Sequence, residues 1–206
     1  MSVDYSLYLV TDRGILGDRD LFKAVEAAIK GGVTVVQLRE KDISSLDFYN
    51  IAVKLKELVH RYNVPLIIND RLDIALAVDA DGLHIGQSDL PVEVARRLLP
   101  GKILGYSAST VEEARYGQKN GADYLGVGAV YATGSKADAG NPIGVEMVKK
   151  IKQSVALPVV GIGGIGLSNI EEVKTAGIEG VSIISAILGS PDIEGTSRSL
   201  INLWRK

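Results

Sequence analysis

Short apolar runs alternate with longer amphipathic segments along the whole chain. The runs are rich in Val, Ile, Leu and Tyr, and they occupy residues 6–10, 33–38, 66–68, 82–85, 102–105, 124–127, 159–162 and 181–184. Continuous apolar runs of this length are typical of strands in a parallel sheet that is covered on both faces. The pattern predicts eight strands separated by helices rather than a series of hairpins.

The segments between the runs have helical periodicity. Apolar residues recur at helical spacing in the first two long segments, at Leu21, Val25, Ala28 and Ile29, and at Ala52, Leu55, Val59 and Tyr62. Thr110-x-x-Glu113 and Ser168-x-x-Glu171 match capping boxes, which begin helices. Glycines that could end helices stand at Gly31, Gly32, Gly121 and Gly177. Each helical stripe can therefore cover one strand of the predicted sheet.

Eight βα units of about 26 residues each are compact for a (β/α)₈ barrel, but they suit that architecture. We expect an α/β fold in which residues 1–206 form a single-domain TIM barrel. The alternative is a doubly wound open sheet. Closure is favoured because it removes both sheet edges.

Composition and charge exclude several classes of function. The chain has 46% hydrophobic and 23% charged residues, as ordinary globular proteins do. Its formal net charge of −2 does not indicate nucleic-acid binding, which normally requires a basic domain or surface. It has no cysteine and two histidines, which excludes disulfides and thiolate sites and disfavours a multi-histidine metal site. With no leader-like or membrane-spanning apolar segment, we expect a cytoplasmic protein that does not bind membranes, and the barrel class suggests a small homo-oligomer.

Polar residues follow the second predicted strand. Strand alternation sends Gln37, Arg39 and Lys41 to one face, and Leu38 and Glu40 to the other. Active sites of these barrels lie where strands end, and Arg and Lys bind phosphate oxygens strongly. The pattern favours an anion-binding face, although a solvated ion pair is the alternative.

Carboxylates follow the next two strands. Asp70 comes after strand three and Asp89 after strand four, within reach of one cation. Mg²⁺ prefers one or two carboxylates together with substrate phosphate oxygens and waters. Each Asp taken alone also suits a turn or helix cap. His84 could point inward or pack in the core, and a structural role is slightly favoured.

Three later loops could hold phosphate. The loop at 131–136 offers Thr133, Ser135 and Lys136, and the segments at 161–165 and 184–187 lie where barrels bind phosphate through backbone N–H groups. The residues thus predict two phosphate sites. From the residues alone, the most specific prediction is a Mg²⁺-dependent enzyme that joins or rearranges phosphorylated molecules.

An ordered set of motifs resembles thiamine phosphate synthases. It consists of YLVTD (8–12), QLREK (37–41), INDR (68–71), DGLHIGQSD (81–89), GADYLGVGAVYATGSK (121–136), GIGGI (161–165) and SAI (185–187). The resemblance spans nearly the whole chain in collinear order. That family joins 4-amino-2-methyl-5-(diphosphooxymethyl)pyrimidine to a thiazole phosphate, giving thiamine phosphate and diphosphate.

The resemblance implies a role for individual residues. Binding of the pyrimidine diphosphate falls to Gln37, Arg39, Lys41, Asn69, Ser107 and Lys136. Binding of the thiazole phosphate, or of its carboxylated form, falls to Thr133, Gly134, Ser135, Gly163, Ile184 and Ser185. Mg²⁺ would be bound by Asp70 and Asp89, and catalysis would depend on Arg39, Lys41, Lys136 and Ser107. The implied mechanism is dissociative and passes through a pyrimidine methylene cation.

The chain departs from the family pattern at Ser135, Tyr106 and Ser109. A thiazole tautomerase-like enzyme is the nearest alternative function, but it would use a His in the strand-five loop, where Ser109 stands. A metabolite-sensing barrel without catalysis and a phosphosugar isomerase or epimerase are two further alternatives.

Overall fold

The computed structural model describes residues 3–134 and 141–206. Eight parallel strands close into a barrel in the order β1 to β8, and β1 pairs with β8. The strands are β1 Leu7–Val10, β2 Val35–Leu38, β3 Leu66–Asn69, β4 Gly82–Ile85, β5 Ile103–Ala108, β6 Tyr124–Gly128, β7 Val159–Ile162 and β8 Gly180–Ile183. The predicted barrel is confirmed, and the open sheet is wrong.

Helices follow the strands and surround the barrel. Their bounds are α1 Arg13–Leu16, α2 Leu21–Lys30, α3 Ser45–His60, α4 Leu72–Ala77, α5 Val92–Leu98, α6 Val111–Lys119, α7 Gly144–Ser154, α8 Ile170–Lys174, α9 Ser185–Leu188 and α10 Ile193–Arg205. The two predicted stripes are buried on α2 and α3, except for Tyr62, which lies beyond the end of α3 and is half-buried.

One predicted helix start is confirmed and the other is wrong. Thr110 and Glu113 form a reciprocal capping box at α6. At α8 the N-cap is Asn169, and no side chain caps the helix. The Asn169 side chain instead accepts from the Gly166 N–H at 2.8 Å, which fixes the preceding turn. Because this turn displaces the helix start by one residue, Ser168 does not reach a capping position.

The strand alternation separates two apolar layers. Outward side chains such as Leu7, Val36 and Leu83 pack against the helices in the large core. Inward side chains form a small cluster made of Tyr5, Tyr8, Val10, Val35, Ile67, Tyr124 and Val160. Interior glycines leave no room for a side chain: a Cβ on Gly82 would overlap Ile103 of β5, and a Cβ on Gly180 would overlap the backbone of Tyr5, just before β1. The barrel interior is therefore filled by a few large side chains and shaped by glycines.

Candidate functional site

A cavity of about 580 Å³ lies inside the barrel and at the carboxyl ends of its strands. Eight of the residues predicted from the sequence line it: Gln37, Arg39, Asn69, Ser107, Thr133, Gly163, Ile184 and Ser185. They come from strands or loops all around the barrel. The closed topology thus brings residues almost 150 positions apart in sequence to one site.

The second strand presents its polar face to this cavity. Gln37 is buried and its side-chain amide donates to the Tyr8 hydroxyl at 2.8 Å. The Arg39 guanidinium forms a half-buried ion pair with Asp12 at 2.9 Å. Glu40, on the other face, pairs with Arg13 at 2.7 Å. Gln37 and Arg39 thus face the cavity as predicted, whereas Lys41 is not among the lining residues. Asp12 is an orienting partner for Arg39.

Lys41, Asp70 and Asp89 form a charged group, although none of the three is among the residues that line the cavity. Lys41 Nζ lies 3.0 Å from Asp70 Oδ2. Asp89 accepts a hydrogen bond from the Gly86 N–H at 2.7 Å, and this bond shapes the loop after β4. Burial raises the pKa of Asp89, and the neighbouring Asp70 carboxylate raises it further. The two carboxyl groups are therefore close enough to repel each other when both are ionised, which a shared cation would relieve.

Ser107 ends the inward face of β5. Its hydroxyl lies 3.0 Å from His84 Nε2, and its carbonyl accepts from the Gln87 side chain at 3.0 Å. His84 Nδ1 lies 2.9 Å from the Tyr124 hydroxyl. His84 thus points inward, and its ring nitrogens have hydrogen-bonding partners, so it combines the two roles that the sequence left open.

The loops after β7 and β8 form a backbone wall. Gly163 and Gly164 have φ values of 100° and 67°, which glycine adopts without strain. A Cβ on Gly163 would lie 2.6 Å from the Ala129 Cβ, so only glycine fits there. Next to this turn, α9 begins at Ser185, where the first N–H groups have no acceptor within the helix. The wall therefore consists of glycine backbone and Ser185 together with isoleucine residues, among them Ile162 and Ile184.

The loop after β6 is described only as far as Gly134. Thr133 lines the cavity, whereas Gly134 is exposed and has open space around its Cα. Ser135 and Lys136 lie outside the described residues. Asn141 and Ile143, where the description resumes, again line the cavity.

Several cavity residues were not predicted. Tyr8, Tyr124 and Ser182 are inward-facing strand residues, and Glu113 reaches the cavity from α6. Strand alternation could have placed the first three inside the barrel, but it gives no sign that the Tyr8 and Tyr124 hydroxyls face one another. Glu113 was predicted as a helix cap alone.

The structure places two of the residues that differ from the family pattern, Tyr106 and Ser109. Tyr106 is buried in the outer core, where its ring lies 5.7 Å from that of Tyr116, so it does not line the cavity. Ser109 lines the cavity and donates from Oγ to Glu113 at 2.9 Å. Glu113 also accepts from the Ser109 N–H at 2.6 Å, so Ser109 belongs to the beginning of α6.

Within residues 3–134 and 141–206, no three His, Cys, Asp or Glu side chains are grouped so that they could hold a metal ion. The Asp70 and Asp89 pair is the smaller set that the sequence predicted. Separately, none of the helices in the described part of the chain is long and apolar enough to cross a membrane.

Comparison with known proteins gives matches over most of the chain. The family model described as thiamine monophosphate synthase matches residues 7–187. A thiamine-phosphate synthase of Desulfitobacterium hafniense (strain DSM 10664 / DCB-2) is 56% identical over 206 residues, which cover 100% of both chains. One from Clostridium acetobutylicum is 55% identical and covers 100% of this chain and 97% of its own.

Solved structures agree with these matches. Thiamine phosphate pyrophosphorylase from Pyrococcus furiosus superposes with a TM-score of 0.91 at 38% identity, covering 98% of this chain and 96% of its own. A 3-hexulose-6-phosphate synthase superposes with a TM-score of 0.73 at 15% identity, covering 96% and 99%, which shows a shared fold alone. The chain therefore belongs to the thiamine monophosphate synthase family and is an enzyme of the transferase class.

Proposed function

We propose that the protein is a Mg²⁺-dependent thiamine phosphate synthase. It joins 4-amino-2-methyl-5-(diphosphooxymethyl)pyrimidine to 4-methyl-5-(2-phosphooxyethyl)thiazole, or its carboxylated form, and releases diphosphate. The observation that carries the proposal is that one cavity unites a polar, cationic wall from β2 to β5 with a main-chain wall from β7 and β8. Two phosphorylated substrates can thus bind on facing sides of one space.

The pyrimidine diphosphate is assigned to the cationic wall. Arg39 lines the cavity, and Lys41 pairs with Asp70, the neighbour of the cavity-lining Asn69, so both cations can approach diphosphate oxygens. In the present structure each is paired with a carboxylate, Asp12 or Asp70, which holds the side chain in place before the anion arrives. Gln37, Asn69 and Ser107 supply uncharged polar groups, and Lys136 completes this set by resemblance.

The Asp70 and Asp89 pair fits a divalent cation. Mg²⁺ prefers one or two carboxylates and fills its remaining positions with phosphate oxygens and water. Burial and the neighbouring Asp70 carboxylate raise the pKa of Asp89, so the two carboxylates repel each other when both are ionised, and a bound cation would relieve this repulsion. When bound there, Mg²⁺ would neutralise charge on the departing diphosphate.

The thiazole phosphate is assigned to the other wall. Gly163, Ile184 and Ser185 line this side of the cavity, together with Thr133. Backbone N–H groups bind phosphate oxygens without adding a charged side chain. Gly134 and Ser135 extend the same loop by resemblance.

The reaction needs no protein nucleophile. The C–O bond to the diphosphate breaks with both electrons leaving on oxygen, and the aminopyrimidine stabilises the methylene cation that remains. The thiazole nitrogen then supplies an electron pair to that carbon. The chain holds the two substrates in line, stabilises the leaving diphosphate with Arg39, Lys41, Lys136 and Ser107, and excludes the water that would capture the cation.

The decisive experiment measures diphosphate release and thiamine phosphate formation from both substrates, with each substrate and Mg²⁺ omitted in turn. We expect product only when all three are present. Product without added metal in the presence of a chelator would refute the Mg²⁺ dependence. Absence of product from folded, saturated protein would refute the synthase and favour a tautomerase, an isomerase or a sensor.

A further inference from the structure

Five polar side chains form a continuous hydrogen-bonded series across the barrel interior. Gln37 Nε2 donates to the Tyr8 oxygen at 2.8 Å, and the Tyr8 and Tyr124 hydroxyls lie 2.8 Å apart. Tyr124 then lies 2.9 Å from His84 Nδ1, and His84 Nε2 lies 3.0 Å from Ser107 Oγ. These residues, here called the interior relay, come from five different strands, and all of them line the cavity.

The first bond sets the direction of the others. An amide nitrogen can only donate, so the Tyr8 oxygen accepts from Gln37. Among the described residues the Tyr124 oxygen is the other partner of this hydroxyl, so the buried Tyr8 proton has an acceptor only when it turns toward Tyr124. Tyr124 in turn donates to His84 Nδ1, which must then carry no proton. The imidazole proton is therefore on Nε2 and is donated to Ser107. Since the Ser107 oxygen accepts this bond, its own hydroxyl proton is left to point elsewhere.

Burial keeps the two tyrosines as hydroxyl donors. Tyr8 and Tyr124 are each 1% exposed, and burial raises the pKa of both phenols. Neither hydroxyl can exchange its protein partner for bulk water. The tyrosine part of the relay thus has a fixed connection that water does not interrupt.

Two glycines leave the space that the relay occupies. A Cβ on Gly105 would overlap both the Tyr124 hydroxyl and His84 Nδ1. A Cβ on Gly126 would lie 2.9 Å from His84 Cε1. Both glycines stand on neighbouring strands, β5 and β6, at inward positions. Any larger residue at either position would displace the imidazole, so the glycines permit its bond to Ser107.

We infer that the relay makes Ser107 a hydrogen-bond donor toward the bound substrate, and that Tyr8, Tyr124 and His84 are positioning residues that set this polarity. The inference rests on the proposed function, in which Ser107 contacts the pyrimidine diphosphate. Negative charge grows on the departing diphosphate, so a fixed donor stabilises the transition state more than the ground state. Loss of this fixed donor should therefore lower kcat more than it changes KM.

The first test reads the His84 tautomer without any substrate. The chain has two histidines, so His60→Gln leaves one imidazole in the full-length protein. Nitrogen NMR of the histidine-labelled variant should show a protonated Nε2 and a bare Nδ1. The reverse tautomer, with the proton on Nδ1, would overturn the inference because the whole relay would then run in the opposite direction.

The second test removes one hydroxyl from the relay. Tyr124→Phe keeps the ring but leaves Nδ1 without its donor, so both tautomers should appear. We expect kcat to fall roughly 10- to 100-fold, less than for loss of a direct oxyanion donor, with KM for the pyrimidine diphosphate little changed. Tyr8→Phe should act in the same direction but more weakly, and it serves if Tyr124→Phe folds poorly.

Tyr106→Phe is the matched control, because Tyr106 is buried on the same strand as Ser107 but faces the outer core. It should change neither the tautomer nor kcat. If kcat in folded Tyr124→Phe equals that of the unsubstituted protein, the relay does not position Ser107. Failure of the unsubstituted protein to make thiamine phosphate would refute the proposed function instead, and the tautomer would still test the direction of the relay.

Discussion

Charge at a single residue, Asp70, should control the response of turnover to Mg²⁺. Asp70 has a φ of 60°, a conformation that Asn also tolerates, so Asp70→Asn preserves the backbone and removes only the charge. We expect the Mg²⁺ concentration for half-maximal turnover to rise by about tenfold or more, because one of two proposed oxygen ligands loses its charge. Steady-state titration with Mg²⁺ measures this shift.

Asp73→Asn is the control for that substitution. Asp73 is exposed and pairs with Arg71 at 2.6 Å on α4, so it makes the same change in net charge nearby but outside the cavity. Its Mg²⁺ response should match that of the unsubstituted protein. An unchanged Mg²⁺ response in Asp70→Asn, with thermal unfolding also unchanged, would contradict the metal assignment.

Ser182 carries a buried hydroxyl that has no hydrogen-bonding partner among the described residues. It lies on the inward face of β8, beside Tyr8 in the register of β1 and β8. A buried unpaired hydroxyl costs about 1 to 3 kcal/mol, so Ser182→Ala should leave the free energy of unfolding unchanged or raise it by about 1 kcal/mol. Urea unfolding without substrate measures this change. A loss of stability above about 1 kcal/mol would show that the hydroxyl has a partner.

At the residue scale, local sequence predicted the site residues at strand ends better than those inside the barrel. Asn69 ends β3, and Arg39 and Ser185 lie just beyond β2 and β8, at the positions where polar residues in a barrel signal a site. Tyr8 and Tyr124 are 116 positions apart and look like ordinary apolar strand residues until closure brings their hydroxyls together. The hydrogen-bond relay is a long-range property, so strand periodicity could not show it.

At the scale of single elements, the beginning of α6 combines a helix cap with a cavity wall. Thr110 Oγ1 accepts from the Glu113 N–H at 3.1 Å, and Glu113 accepts from the Thr110 N–H at 3.1 Å. Thr110→Ala should lower the free energy of unfolding by about 1 kcal/mol. In a chain of this size that corresponds to a fall in Tm of about 2–4 °C, which differential scanning calorimetry resolves.

Ser168→Ala is the matched control for the cap. The same four-residue pattern precedes α8, yet Asn169 occupies the N-cap and makes no side-chain cap. Ser168 is exposed, so its substitution should move Tm by less than about 1 °C, within the range of neutral surface changes. A fall as large as that of Thr110→Ala would mean that a Ser168 cap forms in solution.

Strands were the elements that sequence predicted most closely, since a parallel strand covered on both faces appears as a continuous apolar run. The largest difference is at β5, which extends to Ala108 and not to residue 105. Tyr106, Ser107 and Ala108 continue the alternation, but the polar Ser107 resembled a loop residue. Polar inward residues are expected near an active site. The polarity of Ser107 therefore made the end of β5 hard to predict, but it also indicated the site.

At the scale of the whole molecule, the barrel closes where the two ends of the described chain meet. β1 pairs with β8, and α10 packs against α2. A Cβ on Gly31, at the end of α2, would lie 2.6 Å from the Ser197 Cβ and would overlap the Glu194 carbonyl oxygen. This seam therefore depends on a close approach between the first and last long helices.

Closure of this kind should make unfolding cooperative, and Trp204 reports on it. Trp204 is the one tryptophan in the sequence, and it is 7% exposed on α10. Because α10 has its apolar face buried only when α2 and β1 are in place, its loss should coincide with loss of the barrel. Urea midpoints from tryptophan fluorescence and far-ultraviolet circular dichroism should agree.

Gly31→Ala should lower the two midpoints together, because the added Cβ costs about 1 to 3 kcal/mol in the free energy of unfolding. Gly166→Ala is the control. Its Cβ would make an ordinary contact at 3.5 Å, so the free energy of unfolding should not fall by that amount. A fluorescence transition that precedes the dichroism transition would show that α10 detaches from an intact barrel, so that the seam would stabilise the helix without being needed for closure.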